Sequence, residues 1–181
     1  TKEEDFHYVM DVNVYGPYRI TKAFSPLIIA EKGRVTTISS ISGILSAPGL
    51  GVYSMSKHAI EAFGDALAAE MAPLGVQVSL IEPGNYRSEI SRTAVQRMGL
   101  GATSPLADRS QYPEPDAVAT AVLHSLTDAN PQRRYMVTPN AAEAELTIKK
   151  AIEELVQLNQ DQPYSYDRKA LIEMLDAKLG Q

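Results

Sequence analysis

The chain has 181 residues, of which 44% are hydrophobic and 22% are charged, and its formal net charge is −5 at pH 7. These values are typical of one globular domain and exclude a disordered or fibrous protein. The acidic balance argues against a nucleic-acid partner, no stretch approaches the roughly 20 apolar residues of a membrane span, and the absence of cysteine excludes disulfides and fits a cytoplasmic protein.

The first part of the chain predicts helices and strands in alternation. Apolar residues recur at helical spacing over residues 3–30, and a Gly-Pro pair at residues 16–17 should bend or interrupt this helix because proline lacks an amide donor. Residues 34–39, "RVTTIS", are rich in β-branched side chains and predict a strand. A helix is predicted over residues 52–72, and the nearly continuous apolar run at residues 76–82 predicts a strand buried on both faces.

This alternation continues to the end of the chain. The remaining predicted elements are a helix at residues 87–100, a helix at 115–126 that opens on Pro115, a strand at 133–138, and helices at 141–158 and 168–179. Strands that alternate with helices of this length indicate parallel βα units. The sequence therefore predicts an α/β fold with a parallel sheet, in a single domain over residues 1–181.

The sequence contains no recognisable loop for nucleotide phosphates and no metal-binding pattern. The glycine runs that begin at Gly49 and Gly99 do not complete G-x-G-x-x-G, and no G-x-x-x-x-G-K-[ST] occurs. The three histidines lie far apart, without a carboxylate at ligand spacing. We therefore predict no bound metal.

The stretch "GVYSMSK" at residues 51–57 contains two overlapping catalytic patterns. From Ser54 it reads Ser-x-x-Lys, as in serine acyl enzymes, but the partner motifs Ser-Asp-Asn and Lys-Thr-Gly do not occur. From Tyr53 it reads Tyr-x-x-x-Lys, which places the phenol and the Lys57 ammonium on one face of a helix. A cation within about 4–6 Å lowers the pKa of an acid by about 1–3 units, which would help a phenol exchange protons near neutral pH. An apolar helix face beside a solvated lysine is the structural alternative.

Three consecutive elements place polar groups at one edge of the predicted sheet. Ser40 follows the strand at residues 34–39, and Pro83-Gly84 ends the next parallel strand. Asn13 lies in the first helix beside the Gly-Pro pair, where carbonyls lose their intrahelical donors. Because sites in α/β sheets lie outside the carboxyl ends of the strands, these groups and Tyr53 favour one shared site.

These segments resemble the successive motifs of the short-chain dehydrogenase/reductase family. The matching stretches are "DVNVYG", "GRVTTISSISG", "VYSMSKHAIEAF" and "SLIEPGNYRSEI", and the resemblance is close over residues 11–90. It implies a Rossmann-like doubly wound parallel sheet, of which this chain has only the later strands and helices. It also implies an NAD(P)-dependent oxidoreductase that interconverts a secondary alcohol and a ketone by hydride transfer.

The resemblance assigns roles to the residues of the predicted site. Tyr53 would be the acid and base, and Lys57 would lower the pKa of this phenol and bind the nicotinamide ribose. Ser40 would hydrogen-bond the substrate oxygen, and Ser42 would line the substrate pocket. Asn13 would hold, at its helix break, a water that links the lysine to solvent.

The same resemblance implies a cofactor site and a substrate lid. Pro83, Gly84 and the backbone around Tyr86 would lie along the nicotinamide of NAD or NADP. Ser88 stands where the family commonly has threonine and would hydrogen-bond the carboxamide. Residues 87–115 have the length and mixed polarity of the family's lid over an alcohol or carbonyl substrate.

The chain also departs from the family pattern. Family members begin with a strand, a glycine-rich turn and further βα units, and at roughly 30 residues per βαβ unit about 90 residues are absent here. We expect this chain to be the C-terminal, catalytic part of a dehydrogenase, with the remainder cleaved, outside the present sequence or supplied by another chain. A homo-oligomer through the helices at residues 3–30 and 52–72 is expected from the family, and a non-catalytic scaffold is the alternative function.

Overall fold

The computed structural model describes residues 2–97, 108 and 110–180. In these residues the helices are α1 (Glu3–Met10), α2 (Gly16–Ala30), α3 (Gly51–Met71), α4 (Ile90–Arg97), α5 (Asp116–Thr127), α6 (Ala141–Asn159) and α7 (Arg168–Leu179). The strands are β1 (Arg34–Ile38), β2 (Gln77–Pro83) and β3 (Arg134–Val137), and shorter helical turns lie at Asp11–Tyr15, Ile41–Gly43 and Ala72–Leu74. Helices and strands alternate along the chain, as predicted.

The strands β1, β2 and β3 pair in parallel, in that spatial order, within the described residues. Thr36 lies opposite Ser79 in the first pair, and Leu80 lies opposite Arg134 in the second. The central strand β2 is buried along almost its whole length, which confirms the prediction for its apolar run. Because the strands are parallel, their carboxyl ends meet at one edge of the sheet, where the predicted site residues follow them.

Helices cover both faces of this sheet. On one face, α2 and α3 pack against β1 and β2 through a buried apolar cluster. This cluster contains Leu67, Met71, Val76 and Val78, with Ile28, Ile29, Val35, Phe63 and Ala68 packed against it. On the other face lies α5, where Ser125 Oγ is 2.9 Å from Thr36 Oγ1 and Ser125 O accepts from Arg34 Nη1 at 3.2 Å. The three layers are those of a Rossmann-like fold.

A glycine lets α3 lie close to the central strand. A Cβ built on Gly64 would stand 2.7 Å from Leu80 Cδ2 and 2.9 Å from Leu80 Cδ1. Leu80 is fully buried, so its side chain has little room to move. This contact fixes the height of α3, and with it that of Tyr53 and Lys57, above the strand ends.

A π-helical turn at Asp11–Tyr15 interrupts the α-helix predicted over residues 3–30, just before the Gly-Pro pair that was expected to bend or interrupt it. Pro17 lies in the first turn of α2, where proline is best tolerated. A second proline, Pro26, lies inside α2. Ser25 Oγ donates to Lys22 O at 3.0 Å and satisfies the carbonyl that Pro26 cannot reach. Single π-helical turns are frequent at functional sites.

Most predicted elements differ from the observed ones only at their ends. The helix predicted at residues 87–100 departs further, since α4 begins at Ile90 and the predicted end lies outside the described residues. The residues between β2 and α4 form bends and a turn rather than the first part of a helix. In the part of the chain that the structure describes, no helix has both the length and the hydropathy needed to cross a membrane.

Gly64→Ala should destabilise the protein because the new methyl group would overlap the buried Leu80 side chain. Overpacking of this kind costs about 1–3 kcal/mol, so the midpoint of urea unfolding should fall. Gly51→Ala is the matched control in the same helix, since a Cβ there would meet no atom within 4 Å. Alanine is the better helix former, and this control should leave the midpoint unchanged or slightly higher. Equal midpoints for the two variants would contradict the close packing of α3 on β2.

Candidate active site

Ser40 lies where β1 ends and fixes the turn that follows. Its Oγ accepts a hydrogen bond from Ser42 N at 3.1 Å and so caps the helical turn Ile41–Gly43. Ser40 Oγ also donates to Pro83 O at 3.3 Å, which links the carboxyl ends of β1 and β2. This bond is long for an O–H donor, so the hydroxyl can turn toward a better acceptor.

Lys57 is a buried ammonium held beside Tyr53. The residue is 9% exposed, and Nζ donates at 3.1 Å to the carbonyl of Ile38, the last residue of β1. The same Nζ lies 5.6 Å from the centroid of the Tyr53 ring, within the range of cation–π attraction. Burial lowers the pKa of the Lys57 ammonium, and the Glu61 carboxylate partly offsets this effect. The structure thus places the phenol and the ammonium on one helix face, as predicted.

Asn13 connects the π-helical turn to α3. Its Nδ2 donates to Ser56 Oγ at 3.0 Å, and Ser56 Oγ in turn donates to Tyr53 O at 2.7 Å. Ser56 is completely buried, so no water competes for these bonds. The two bonds hold the π-helical turn against the part of α3 that carries Tyr53.

The turn after β2 is held by a carboxylate from the C-terminal part of the chain. Glu143 Oε2 accepts a hydrogen bond from Asn85 N at 2.8 Å. The same oxygen lies against the backbone of Gly84, where any Cβ would overlap it. Glu143 belongs to the first turn of α6, whose N-cap Asn140 accepts from Glu143 N at 2.9 Å. Glutamate at this helix position usually bonds back to its own cap, but here it also orders the turn after β2.

The other predicted site residues on this side of the sheet differ in exposure. Tyr86 is 8% exposed, and burial, with the Glu143 carboxylate adding to it, raises the pKa of its phenol. Ser42 is partly buried, and Ser88 is exposed. The contacts already described join Asn13 to Tyr53 through Ser56, and they join Tyr53 to Lys57. A separate hydrogen bond joins Ser40 to Pro83, and Lys57 reaches the same strand end through Ile38 O, two residues before Ser40.

The segment predicted as a substrate lid, residues 87–115, is closed at its base by an ion pair. Arg87 Nη1 donates to Glu114 Oε1 at 2.5 Å, so the two ends of the segment lie together. The helix α4 lies within it. Residues 98–107 and 109 of this segment lie outside the described residues.

A cluster of charged side chains lies between α3, β2 and β3. Arg134 Nη1 donates to Glu82 Oε1 at 2.6 Å and to Glu61 Oε2. Arg134 Nη2 donates to Asp65 Oδ2 at 2.7 Å. Burial raises the pKa of Glu82, Arg134 opposes this effect, and Glu61 adds to it. Burial also works against the Arg134 charge, but the hydrogen bonds with the two glutamates outweigh it and raise the pKa of the guanidinium.

Sequence reasoning missed three residues that shape this site, namely Ser56, Glu61 and Glu143. The position of Glu61 could have been found from the sequence, since it follows Lys57 by about one helical turn and so lies on the same face of the helix. The position of Glu143 could have been found as well, since it completes an Asn-x-x-Glu capping box. No sequence pattern indicates the role of Ser56, because that role depends on where the folded chain places Asn13.

The arrangement presents a phenol, a buried ammonium and a hydroxyl at one edge of the sheet. A phenol beside a cation can give and take a proton, and a hydroxyl can donate to an oxygen on which charge develops. Within residues 2–97, 108 and 110–180, no group of three or more His, Asp or Glu side chains is placed to hold a metal ion. The geometry therefore suits proton transfer to and from a substrate oxygen.

The family is shown by comparison with known proteins. The sequence profile of the family described as short chain dehydrogenase matches residues 1–99. The chain therefore belongs to the short-chain dehydrogenase family, and this predicted membership is confirmed.

Relatives and solved structures agree with this assignment. Mitochondrial D-beta-hydroxybutyrate dehydrogenase of Mus musculus is 36% identical over 160 aligned positions, which cover 75% of this chain and 47% of that protein. A short-chain dehydrogenase from Streptomyces avermitilis has a TM-score of 0.69 at 26% identity, covering 88% of this chain and 61% of that chain. A metagenomic short-chain oxidoreductase in complex with NADP has a TM-score of 0.54 at 27% identity, covering 77% of this chain and 54% of that chain. The predicted Rossmann-like fold is confirmed, and the chain spans about half the length of the relatives it matches.

Glu143→Ala should loosen the turn after β2, because the Asn85 amide loses its charged acceptor. A hydrogen bond to a charged group contributes about 1.5–3 kcal/mol, so the free energy of unfolding should fall by about this amount. The exchange of the Asn85 amide hydrogen with solvent should become faster, which NMR measures residue by residue.

Two variants control for the loss of charge on α6. Glu143→Gln keeps an acceptor oxygen and should retain most of the protection of the Asn85 amide. Glu145→Ala removes a carboxylate whose ion pair with Lys149 is exposed. This variant should change neither the free energy of unfolding nor the exchange rate of the Asn85 amide hydrogen. Unchanged exchange at Asn85 in Glu143→Ala would show that this carboxylate does not hold the turn.

Proposed function

We propose that this chain carries the catalytic residues of an NAD(P)-dependent oxidoreductase that interconverts a secondary alcohol and a ketone. Tyr53 is the acid and base, Lys57 favours its ionised form and binds the nicotinamide ribose, and Ser40 binds the substrate oxygen. Membership of the short-chain dehydrogenase family supports this proposal. The name of the mouse relative also supports it, since D-beta-hydroxybutyrate is a secondary alcohol.

The position of the Lys57 ammonium is the observation that carries the proposal. Burying a lysine is unfavourable unless polar groups replace its water, so packing alone does not explain why a lysine stands here. At 5.6 Å from the centroid of the Tyr53 ring, its charge favours the phenolate over the phenol. This pairing allows Tyr53 to act as acid in one direction and as base in the other.

The residues present fit the ribose next to the nicotinamide. An ammonium has three N–H bonds, and only one of those on Lys57 can point to the carbonyl of Ile38. The others can serve the hydroxyls of a ribose beside Tyr53. The NADP found in the metagenomic oxidoreductase supports a cofactor of this class.

The turn after β2 fits the nicotinamide ring itself. Gly84 offers bare backbone at the carboxyl end of the central strand, and Pro83 O lies within hydrogen-bond reach of Ser40. We assign Pro83, Gly84 and Tyr86 to the surface beside the ring. Ser88, which is exposed, is proposed to hydrogen-bond the carboxamide.

The proposed reaction uses these groups in sequence. When bound, the reduced nicotinamide supplies a hydride to the carbonyl carbon of the substrate. Tyr53 gives its proton to the carbonyl oxygen, and Ser40 turns its hydroxyl from Pro83 O toward the same oxygen. Lys57 stabilises the phenolate that remains until a proton returns from solvent, by way of a water that we place at Asn13. Oxidation of the alcohol runs through the same steps in reverse.

The substrate is proposed to lie between the turn that carries Ser42 and the segment of residues 87–115. Ser42 is partly buried beside Ser40, and the paired ends of that segment lie close to Gly84 along the chain. This position would let the segment cover a substrate whose oxygen reaches Ser40 and Tyr53. Its role as a lid is part of the proposal.

The overlapping Ser-x-x-Lys pattern is disfavoured by the structure. Ser54 is 2% exposed, and its Oγ has no hydrogen-bond partner. A serine nucleophile needs access to substrate and an adjacent base that takes its proton. Ser54 is buried, and no base among the described residues hydrogen-bonds its Oγ, so Tyr-x-x-x-Lys remains the better interpretation of this stretch.

The proposed activity is that of a protein that also contains a pyrophosphate-binding turn, which is not among the 181 residues. The expectation that these residues are the C-terminal part of a dehydrogenase belongs to the same proposal. Within the described residues, β1 forms an edge of the sheet, and α2 exposes the apolar side chains of Ile20, Phe24 and Leu27. Association through the long helices and a cytoplasmic location stay predictions.

Tyr53→Phe tests the proposed function in the full-length protein. Loss of the phenol should reduce NAD(P)H-dependent turnover of ketones by about 10²–10⁴-fold, the usual contribution of a general acid or base. The unfolding midpoint should change little, because the ring and its contact with Lys57 remain. Turnover is followed by the absorbance of the reduced nicotinamide at saturating cofactor.

Ser54→Ala is the matched control on the same helix turn. Because Ser54 Oγ makes no hydrogen bond, this variant should keep wild-type turnover. An acyl enzyme would give the opposite pattern, with activity lost in Ser54→Ala and kept in Tyr53→Phe. A non-catalytic scaffold would show no turnover in the wild type. Either result would refute the proposed function.

A further inference from the structure

We propose that Glu61 is a positioning residue for this reaction, whose carboxylate keeps the Lys57 ammonium charged beside Tyr53. This inference rests on the proposed function, because the charge of Lys57 affects turnover only if Tyr53 exchanges protons. Three features of the structure carry it: the placement of the carboxylate, the charge balance of its surroundings and the chemistry of the cations there.

Glu61 lies one helical turn beyond Lys57 on α3 and is 7% exposed. One of its oxygens, Oε2, accepts from Arg134, whereas Oε1 has no hydrogen-bond partner among the residues that the structure describes. A Cβ built on Gly43 would stand 2.7 Å from Glu61 Cγ and 3.1 Å from both Glu61 Oε1 and Ser39 Oγ. The side chain therefore lies against the turn that follows Ser40, on the sheet side of α3, and water does not screen its charge.

Glu61 belongs to a group of three cations and three carboxylates, and removing any one of them leaves a net charge. The cations are Lys57, Arg133 and Arg134, and the carboxylates are Glu61, Asp65 and Glu82. When all of them are ionised, the formal charges cancel. Removal of the Glu61 charge would leave an excess of positive charge in a region where desolvation is already unfavourable.

Lys57 is the one cation of this set that can respond to such an excess by losing its proton. A guanidinium does not lose its proton in proteins, whereas a buried ammonium readily does. Burial already lowers the pKa of Lys57, and the Glu61 carboxylate is what opposes this. Without that carboxylate, the ammonium would give up its proton at lower pH, and the Tyr53 phenolate would lose its cation.

Other titratable groups near Lys57 do not provide this charge. Besides Lys57, the titratable groups of α3 are Tyr53, His58, Glu61, Asp65 and Glu70. The neighbouring elements add Glu82 on β2, Arg133 and Arg134 at β3, Arg34 on β1, and Asp11 and Tyr15 on the π-helical turn. Asp11 pairs with Arg19 at 2.8 Å, and Glu82 and Asp65 each bind Arg134. His58 and Tyr15 are exposed, and Arg34 contacts α5 at the start of β1. Glu61 alone in this set is both a carboxylate and one helical turn from the ammonium.

The decisive experiment titrates Lys57 itself in the full-length protein without cofactor. Lysines are labelled with ¹³C at Cε, and the Lys57 signal is assigned by its loss in Lys57→Met. Glu61→Gln should shift the titration midpoint of this signal downward by about one pH unit, the lower end of the effect of a nearby charge. Glutamine can still accept from Arg134, so the variant should fold.

Two variants separate charge from shape. Glu61→Asp keeps the carboxylate and should leave the Lys57 midpoint close to the wild-type value. Asp65→Asn removes another carboxylate that binds Arg134, but Asp65 lies about 12 Å along the helix from Lys57. This variant should therefore shift the Lys57 titration midpoint far less than Glu61→Gln does. If Glu61→Gln does not fold, the ¹³Cδ signal of Glu61 in the wild type decides, because a carboxyl that is still protonated at pH 7 would overturn the inference.

Turnover provides the second measurement. Glu61→Gln should move the alkaline limb of the pH profile to lower pH by the same amount as the Lys57 midpoint, with about a tenfold loss of turnover above the new midpoint. An unmoved Lys57 signal, or equal shifts in Glu61→Gln and Asp65→Asn, would overturn the inference while leaving the proposed function intact. Absent turnover in the wild type would defeat the proposed function, whatever the titration of Lys57 shows.

Discussion

The hydrogen bond from the Lys57 ammonium to the carbonyl of Ile38 is the constraint on which the rest of the site depends. A positive charge in a place that is 9% exposed has lost most of its water, and other groups must replace it. The carbonyl at the end of β1 and the face of the Tyr53 ring take that part, and the negative charge of Glu61 offsets some of the remaining cost of burial. Each of these groups belongs to the chemistry proposed for the site, so the stability of the buried charge and the function of the phenol have the same origin.

The parallel sheet explains why these groups meet. Parallel pairing brings the carboxyl ends of β1 and β2 to one edge, where Ile38 lies opposite Ile81. Ser40 then follows β1 and reaches the carbonyl of Pro83 at the end of β2. The helix α3 must cross this edge at a fixed height, which the contact between Gly64 and Leu80 sets. An antiparallel arrangement would bring successive strand ends to opposite edges, and the same residues would not form one site.

How much of this could be predicted from the sequence depends on the distance between partners along the chain. The Tyr-x-x-x-Lys pattern needs only helical spacing, and Ser40 needs only the end of a strand, so local rules sufficed for both. The hydrogen bond between Asn85 and Glu143 joins the turn after β2 to a helix cap more than fifty residues later, and no periodicity connects them. The Gly-Pro pair was expected to bend or interrupt the first helix, but proline chemistry does not say how the chain absorbs the disturbance, and the π-helical form of the turn at Asp11–Tyr15 was not foreseen.

The proton-transfer part of the site is assembled from contacts that are local in the fold. The hydrogen bonds described for Asn13, Ser40 and Lys57 all join residues that lie between Asn13 and Pro83. They use the π-helical turn, α3, the ends of β1 and β2 and the turn after β1, so the phenol and its cation are positioned by the same elements that build the sheet edge. The surface proposed for the nicotinamide is held differently, since Glu143 reaches it from α6. A disturbance of α6 should therefore weaken cofactor binding, because Glu143 on this helix holds the turn proposed to lie beside the nicotinamide.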